Sequence, residues 1–250
     1  MSAVSENLAA ARDSARKLVD PVLALIFPAE CPACTRPVAR PTRGPLCDAC
    51  WEHLPRHRGS LCACGLPLPG GLARCGRCRR GLSPFARGAS LGPYEGSLRV
   101  LLHELKYRGR RRLATRLAET LLGEPAARAV VVGADALVPV PLHPQRRRER
   151  GFNQAELISA AIGRRTGVAV VGGALVRRKD TAPQSGLSAA ARRGNVRGAF
   201  AVRRHSQVAG RCVVLVDDVL TTGATAQACA QALREAGATE VRLLSVARAL

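Results

Sequence analysis

Aromatic residues make up only 3% of this 250-residue sequence: one Trp, two Tyr and four Phe. A surface that grips nucleic-acid bases by stacking them on successive rings needs more, which argues against a single-strand-binding barrel. No apolar run near the start approaches the roughly 20 residues that a membrane-spanning helix requires. The longest there, residues 22–27, lies between Pro21 and Pro28. The first 20 residues carry Glu6, Asp13 and Asp20 and lack an apolar segment, unlike a secretory signal. The sequence therefore predicts a cytoplasmic protein with no membrane insertion. No Gly-Lys-Thr marks a P-loop, no G-x-G-x-x-G follows a strand, and there is no internal repeat or low-complexity tract.

Acidic residues are also short, 18 against 39 basic, for a net charge of +21. Only three of the basic residues are Lys. The excess is uneven: residues 135–211 hold 15 basic and 4 acidic, residues 31–84 hold 9 and 2, and residues 212–250 hold 3 and 4. A localised excess behaves more like a site for polyanions, phosphate-rich ligands or nucleic acid than like a uniform codon bias. Hydrophobic residues at 47% suffice for a core, and the length suits one main domain plus a small one.

Eight of the ten cysteines fall between residues 31 and 78. The first four read Cys31-x2-Cys34-x12-Cys47-x2-Cys50. A Cys-x2-Cys turn puts two thiolates on one knuckle, and two knuckles close a tetrahedron around zinc. A reducing compartment disfavours the disulfide alternative. Buried unpaired thiols would sit poorly among Pro32, Pro37, Pro41 and Pro45, where little core exists. The second set reads Cys62-x-Cys64-x10-Cys75-x2-Cys78, with a first knuckle one residue short, and His53 and His57 are available as substitute ligands. One or two structural Zn2+ are expected. Four cysteines per site leave no open position for catalysis, while sequential and interleaved pairing both remain open. Cys212 and Cys229 lie in apolar contexts and are expected to be buried packing residues.

After Cys78 periodic elements begin. Ser97 is placed to cap a helix carrying Leu98, Leu101, Leu102 and Leu105 on one face. Leu113, Leu117 and Leu121 mark a second helix, and Lys106 and Tyr107 are expected at the surface. A strand is predicted over 136–142, with Pro139 and Pro141 placing it at an edge or ending it. Phe152, Ala155, Ile158 and Ile162 make a helical stripe, with Asn153 suited to capping. Residues 177–200 are charged and rich in Gly and Pro, as in a long loop or irregular hairpin. Val213-Val214-Leu215-Val216 has the character of a buried parallel strand. A helix with Ala226, Cys229, Leu233 and Ala236 follows, ending at Gly237, and residues 241–246 form a last strand. Strands alternating with helices imply a mostly parallel sheet covered on both faces.

The most informative stretch continues that strand as Asp217-Asp218-Val219-Leu220-Thr221-Thr222-Gly223-Ala224-Thr225. Ligands of open parallel sheets bind beyond the carboxyl ends of strands. Backbone N–H groups, Thr hydroxyls and a helix N-terminus together cradle a phosphomonoester. The two carboxylates repel phosphate and suit a neighbouring polyol instead.

Residues 213–225 resemble the phosphoribosyl diphosphate (PRPP) signature of type I phosphoribosyltransferases. Four further motifs extend the likeness: Leu105-Lys106-Tyr107-Arg108-Gly109-Arg110, Val138-Pro139-Val140-Pro141-Leu142-His143, Arg150-Gly151-Phe152-Asn153-Gln154 and Arg193-Gly194-Asn195-Val196-Arg197-Gly198-Ala199-Phe200. With the Cys-rich start, they resemble the ComF/GntX family over roughly residues 22–248. Cys62-x-Cys64 departs from the expected spacing of two.

The resemblance implies an α/β fold with a mostly parallel sheet of type I phosphoribosyltransferase topology and a small Cys-rich N-terminal zinc ribbon. The divisions would be a helical segment over 1–28, a double zinc ribbon over 29–82 and a phosphoribosyltransferase-like domain over 85–250. Asp217 and Asp218 would hold the ribose hydroxyls, and Thr221, Thr222, Gly223, Ala224 and Thr225 the 5-phosphate. His143, Arg146, Arg147, Arg148 and Arg150 would form a pyrophosphate loop facing the diphosphate and its Mg2+. Residues 177–200 would correspond to the mobile loop that closes over the site. A hood over the ribose carbon would have to come from the region before residue 135, ribbon included.

Three functions are expected from these readings. One is PRPP and Mg2+ binding in the service of DNA uptake, competence or DNA utilisation, with single- or double-stranded DNA and DNA-uptake or recombination proteins as partners. A second is an active phosphoribosyltransferase of nucleotide or nucleoside metabolism. The third is a zinc-ribbon nucleic-acid accessory without catalysis.

Overall fold

The structure, a computed structural model, describes residues 18–68, 72–178 and 198–249. Most of the loop expected over 177–200 lies outside the described residues. A helix over 18–26 (α1) leads into the Cys-rich region, which holds the short helices α2 (Asp48–Glu52) and α3 (Gly76–Arg79). A five-stranded sheet follows, built from β1 (Arg87–Pro93), β2 (Ala136–Pro139), β3 (Ala169–Val170), β6 (Cys212–Leu220) and β7 (Glu240–Arg248). Its spatial order is β1-β7-β6-β2-β3, and every pair is parallel. The short strands β4 (Leu175–Arg177) and β5 (Phe200–Val202) pair antiparallel beside it, so the ends of the expected hairpin are present.

Helices α4 (Gly96–Tyr107), α5 (Leu113–Gly123), α6 (Pro125–Val131) and α8 (Gln154–Thr166) cover one face, packing on Leu137, Val214, Val216 and Leu244. Helix α9 (Ala224–Glu235) covers the other, packing on Ala136, Val213, Leu215 and Val241. This alternation along β6 is the pleat of a strand buried on both sides. Leu98, Leu101, Leu102 and Leu105 are all fully buried, as their spacing predicts. Helix α4 begins at Gly96 with Glu95 as its cap residue, earlier than a Ser97 cap allows. Among the described residues, no helix is long and apolar enough to cross a membrane.

The sheet order decides between the two alternatives for the first predicted strand and adds a strand before it. β2 is interior, between β3 and β6, so its prolines end the strand and do not mark an edge. β1, which the sequence pattern does not announce, is a true edge strand, and the ribbon lies against it. A Cβ built on Gly88 would fall 2.5 Å from the Cys64 carbonyl oxygen, and one on Gly65 would fall 2.7 Å from the Gly88 carbonyl carbon. A Cβ on Gly92 would run into the carbonyl of Pro55. Gly88 N–H donates to Ala63 O at 2.7 Å, which covers part of the edge. Arg56 pairs with Glu124 at 2.8 Å, and His57 Nε2 lies 2.7 Å from Ser90 Oγ. Cys31, Val38, Leu46, Trp51 and Leu54 belong to the same core cluster as the leucines of α4 and α5.

Gly92→Ala should therefore cost about 3 kcal/mol, the scale of severe overpacking. Gly123→Ala, in the last position of α5 with nothing within 4 Å, should gain about 0.5 kcal/mol from helix propensity. Comparing their melting temperatures with the wild type checks both, and a Gly92→Ala protein as stable as the wild type would mean that the ribbon is not seated on β1.

Candidate functional site

The connection after β2 crosses to β3 through α8 on one face, whereas the connection after β6 crosses to β7 through α9 on the other. Neighbouring strands whose crossovers diverge define a topological switch point, where open α/β sheets bind ligands. A cleft of about 700 Å³ opens there. Its walls include Val140 to His143 and Arg146 after β2, and Asp217, Asp218, Thr221, Gly223 and Thr225 from β6 onward.

The prolines shape the cleft. β2 and β6 remain in register to Pro139 opposite Val216, and Val140 N–H gives a last bond to Val216 O at 2.9 Å. β6 then runs on alone on that side while staying paired with β7, Asp217 opposite Ser245. The buried Asn153 fixes the departing chain, donating from Nδ2 to Val140 O at 3.0 Å and accepting from Ala155 N–H as the cap of α8. Asp217 Oδ1 accepts from Asp218 N–H at 2.8 Å, and Asp218 Oδ1 accepts from Val219 N–H at 2.6 Å. Burial, with Asp218 beside it, pushes the Asp217 carboxyl up to about 7.

Lys106, expected at the surface, is instead part of this site. It lines the cleft, and its Nζ lies 2.9 Å from Asp218 Oδ2, with the two side chains 16% and 14% exposed. Burial alone pulls the ammonium down, but Asp218, and Asp217 behind it, hold it above the ordinary lysine value. It is the one lysine among the described residues of an arginine-rich chain. A compact ammonium acts as a point charge on Asp218 and does not require the planar bidentate geometry of a guanidinium. Tyr107 is exposed, as expected, and Arg150 lies over its ring at 5.2 Å.

The phosphate-cradle candidates sit in one turn. Thr221, Thr222 and Gly223 bridge strand to helix, with Gly223 left-handed at φ 72° as the N-cap of α9. Thr222 Oγ1 accepts from Ala224 N–H at 3.4 Å, and no acidic side chain occupies the first turn of this 12-residue helix. Its positive end is open to an anion.

The stretch expected as a pyrophosphate loop is largely a helix, α7 (Pro144–Arg150), with Pro144 first and Gly151 left-handed at its end. His143 is its cap, Nδ1 accepting from Gln145 N–H at 3.2 Å. Of the five residues assigned there, His143 and Arg146 line the cleft, together with Glu149. Arg147 pairs with Glu156 at 2.7 Å, Arg150 stacks on Tyr107, and Arg148 is exposed.

The cysteines form two groups in sequence order, Cys31/Cys34/Cys47/Cys50 and Cys62/Cys64/Cys75/Cys78, each with its sulfurs within 4.8 Å of one another. Cys34 and Cys47 Sγ are 3.5 Å apart, and Cys64 and Cys75 Sγ 3.7 Å. Zn–S bonds of about 2.3 Å give a tetrahedral edge of about 3.8 Å, so the donor sets fit zinc, the short knuckle included. Burial opposes ionisation of Cys31 and Cys62, but neighbouring backbone N–H groups outweigh it and bring them to about 7 and about 6. Neither histidine belongs to a group: His53 Nδ1 lies 2.9 Å from Ala49 O, and His57 faces Ser90. Cys229 is fully buried as expected, whereas Cys212 is partly exposed.

A parallel sheet with this switch-point cleft, preceded by two four-cysteine centres, defines a phosphoribosyltransferase-domain protein with an N-terminal double zinc ribbon. The double zinc ribbon domain family matches residues 22–79, and the phosphoribosyl transferase domain family matches residues 152–249. DNA utilization protein YhgH of Salmonella typhimurium is 36% identical over 230 residues, covering 90% of this chain and 100% of that protein. Competence protein F of Haemophilus influenzae is 30% identical over 209 residues, 82% of this chain and 90% of that one. Competence protein ComFC of Bacillus subtilis is 32% identical over 101 residues, 40% of this chain and 39% of that one. The chain belongs to the ComF/GntX family.

The charges of the cleft set its response to pH and to substitution. The native state binds the Asp217 proton more tightly than the unfolded chain, so the contribution of this group to stability falls as pH rises from about 4 through about 7. Asp217→Asn removes that dependence: its melting temperature should exceed the wild type's at pH 8 and converge with it near pH 4. Lys106→Met strands Asp218 in the cleft and should cost about 3 kcal/mol near neutral pH. Equal denaturant midpoints for Lys106→Met and wild type would refute the ion pair.

Proposed function

We propose that this protein binds PRPP with Mg2+ in the switch-point cleft and serves DNA uptake or utilisation. The observation that carries the reading is the continuous path from the Asp217–Asp218 pair, through a Thr-Thr-Gly turn, to an unblocked helix N-terminus. Asp217 and Asp218 accept hydrogen bonds from the ribose 2′ and 3′ hydroxyls. Thr221, Thr222, Gly223, Ala224 and Thr225 surround the 5-phosphate with hydroxyl and backbone donors at the positive end of α9. His143 and Arg146, across the cleft, face the diphosphate, with Arg147, Arg148 and Arg150 reinforcing the positive field of α7. Mg2+, when bound with PRPP, would neutralise part of the diphosphate charge.

Phosphoribosyl transfer passes through a cationic ribosyl centre as pyrophosphate leaves and the acceptor attacks, so the chain's work is positioning and charge stabilisation, and no nucleophile from the chain is required. Binding of PRPP is the core of the proposal, and transfer to an acceptor is its catalytic extension. The DNA role is supported by the names of the relatives, a DNA utilization protein and a competence protein, and by the net charge of +21.

Calorimetry of PRPP with Mg2+ on the zinc-replete protein tests this. Micromolar affinity is expected, roughly −8 kcal/mol, lost in Asp217→Ala/Asp218→Ala. Affinity should rise between pH 6 and pH 8 as Asp217 gives up its proton and becomes a better acceptor. No heat in the wild type, with no competition by ribose 5-phosphate, would end the proposal.

A further inference from the structure

A second cleft, of about 980 Å³, opens where the ribbon meets the sheet domain, and no role above uses it. The turn over 41–44 forms one wall, and residues 109–112, between α4 and α5, with the first turns of α5 form the other. Arg43 contributes from the ribbon side, and Arg110, Arg111, Arg112 and Arg116 from the domain side. Two carboxylates neighbour these five guanidinium groups: Glu119 on the lining, paired with Arg165, and Glu104 beside it, paired with Arg110 at 2.9 Å. The arginines outnumber these carboxylates, so the local charge is positive.

This is a constructed seam. Asp20, 3% exposed, accepts from Thr42 N–H at 2.9 Å and anchors the turn that presents Arg43. Arg116 donates to Arg43 O at 2.6 Å, and its guanidinium lies 3.7 Å above the ring of Trp51. Arg111 lies 4.8 Å over Phe152. Stacking occupies the flat face of a guanidinium and leaves its in-plane N–H edge able to donate. Concentrating cations here is unfavourable: burial, with the charge of Arg43 behind it, pulls Arg116 down to about 10. Like charges gathered at a cost in a cleft are a functional-site signature.

We propose that this seam is a phosphate-chain site, holding successive phosphates of a single nucleic-acid strand across the junction of ribbon and domain. Trp51 is 6% exposed beneath Arg116, so no ring is offered to a base, and the site acts on backbone charge without reading sequence. The cleft's size admits a few nucleotides of one strand and not the width of a duplex. Only the choice of a nucleic-acid strand rests on the proposed DNA role. A free polyphosphate offers the same chemistry, and the test separates the two.

Fluorescence anisotropy of a labelled oligothymidylate on the full-length, zinc-replete protein, across a salt series, provides that test. Arg110→Gln/Arg112→Gln should weaken binding at least tenfold and lower the slope of log K against log salt by about 1.4, two phosphate contacts' worth. Arg110→Lys/Arg112→Lys should recover most of the affinity, which separates charge from folding. Binding by the Gln variant within twofold of wild type would overturn the proposal. If tripolyphosphate binds the wild type more tightly than the oligonucleotide does, and the Gln variant loses that binding, the site stands with a free anion as its ligand. PRPP titrated into the Gln variant should keep wild-type affinity, so the failure of either proposal leaves the other intact.

Discussion

The close passage of one backbone over another at β1 is the constraint on which the rest of the molecule depends. The chain over 55–65 runs so near β1 that Gly65, Gly88 and Gly92 have no room for a side chain. That contact covers part of the sheet's edge, and the first cysteine centre shares the leucine core of α4 and α5. A Cys-rich segment of this length has little apolar surface of its own. Its stability comes from two metal centres and from sharing another domain's interior.

The switch-point cleft shows how the same architecture manages charge. Two carboxylates at the end of a central strand repel one another in a poorly hydrated place, and three responses are visible. Each accepts a backbone N–H, one carries a raised carboxyl, and Lys106 reaches in from α4. Helix α4 packs on the ribbon's core through its leucines and reaches the cleft through its last turn. The ribbon thus helps to hold the helix that supplies the acid pair's counter-ion.

How much of this is legible in the sequence depends on whether the cause is local. The β6 run, the leucine stripe of α4 and the two four-cysteine sets carry their own periodicity or spacing, and they fold accordingly. β1 goes unannounced because its Gly88, Gly92 and Pro93 weaken strand propensity, and the need for those glycines comes from residues 55–64. Lys106 sits on the polar side of an amphipathic helix, and nothing nearby in sequence announces a carboxylate on a distant strand. Helix α7 is findable: proline at the first position and glycine just past the last are its ordinary boundaries. The density of arginines obscures them. Of the five residues assigned to that segment, charge alone does not say that Arg147 is taken by Glu156 and Arg150 by Tyr107.

The glycine seat also bears on modularity. At Gly65, Gly88 and Gly92 the two surfaces touch through main chain, and at those positions no compensating substitution can accumulate. A shift of either main chain there would have to be matched by the other, so the ribbon and the sheet edge are constrained as a pair. Grafting this ribbon onto another member's sheet would succeed only if the recipient carried the same bare strand edge.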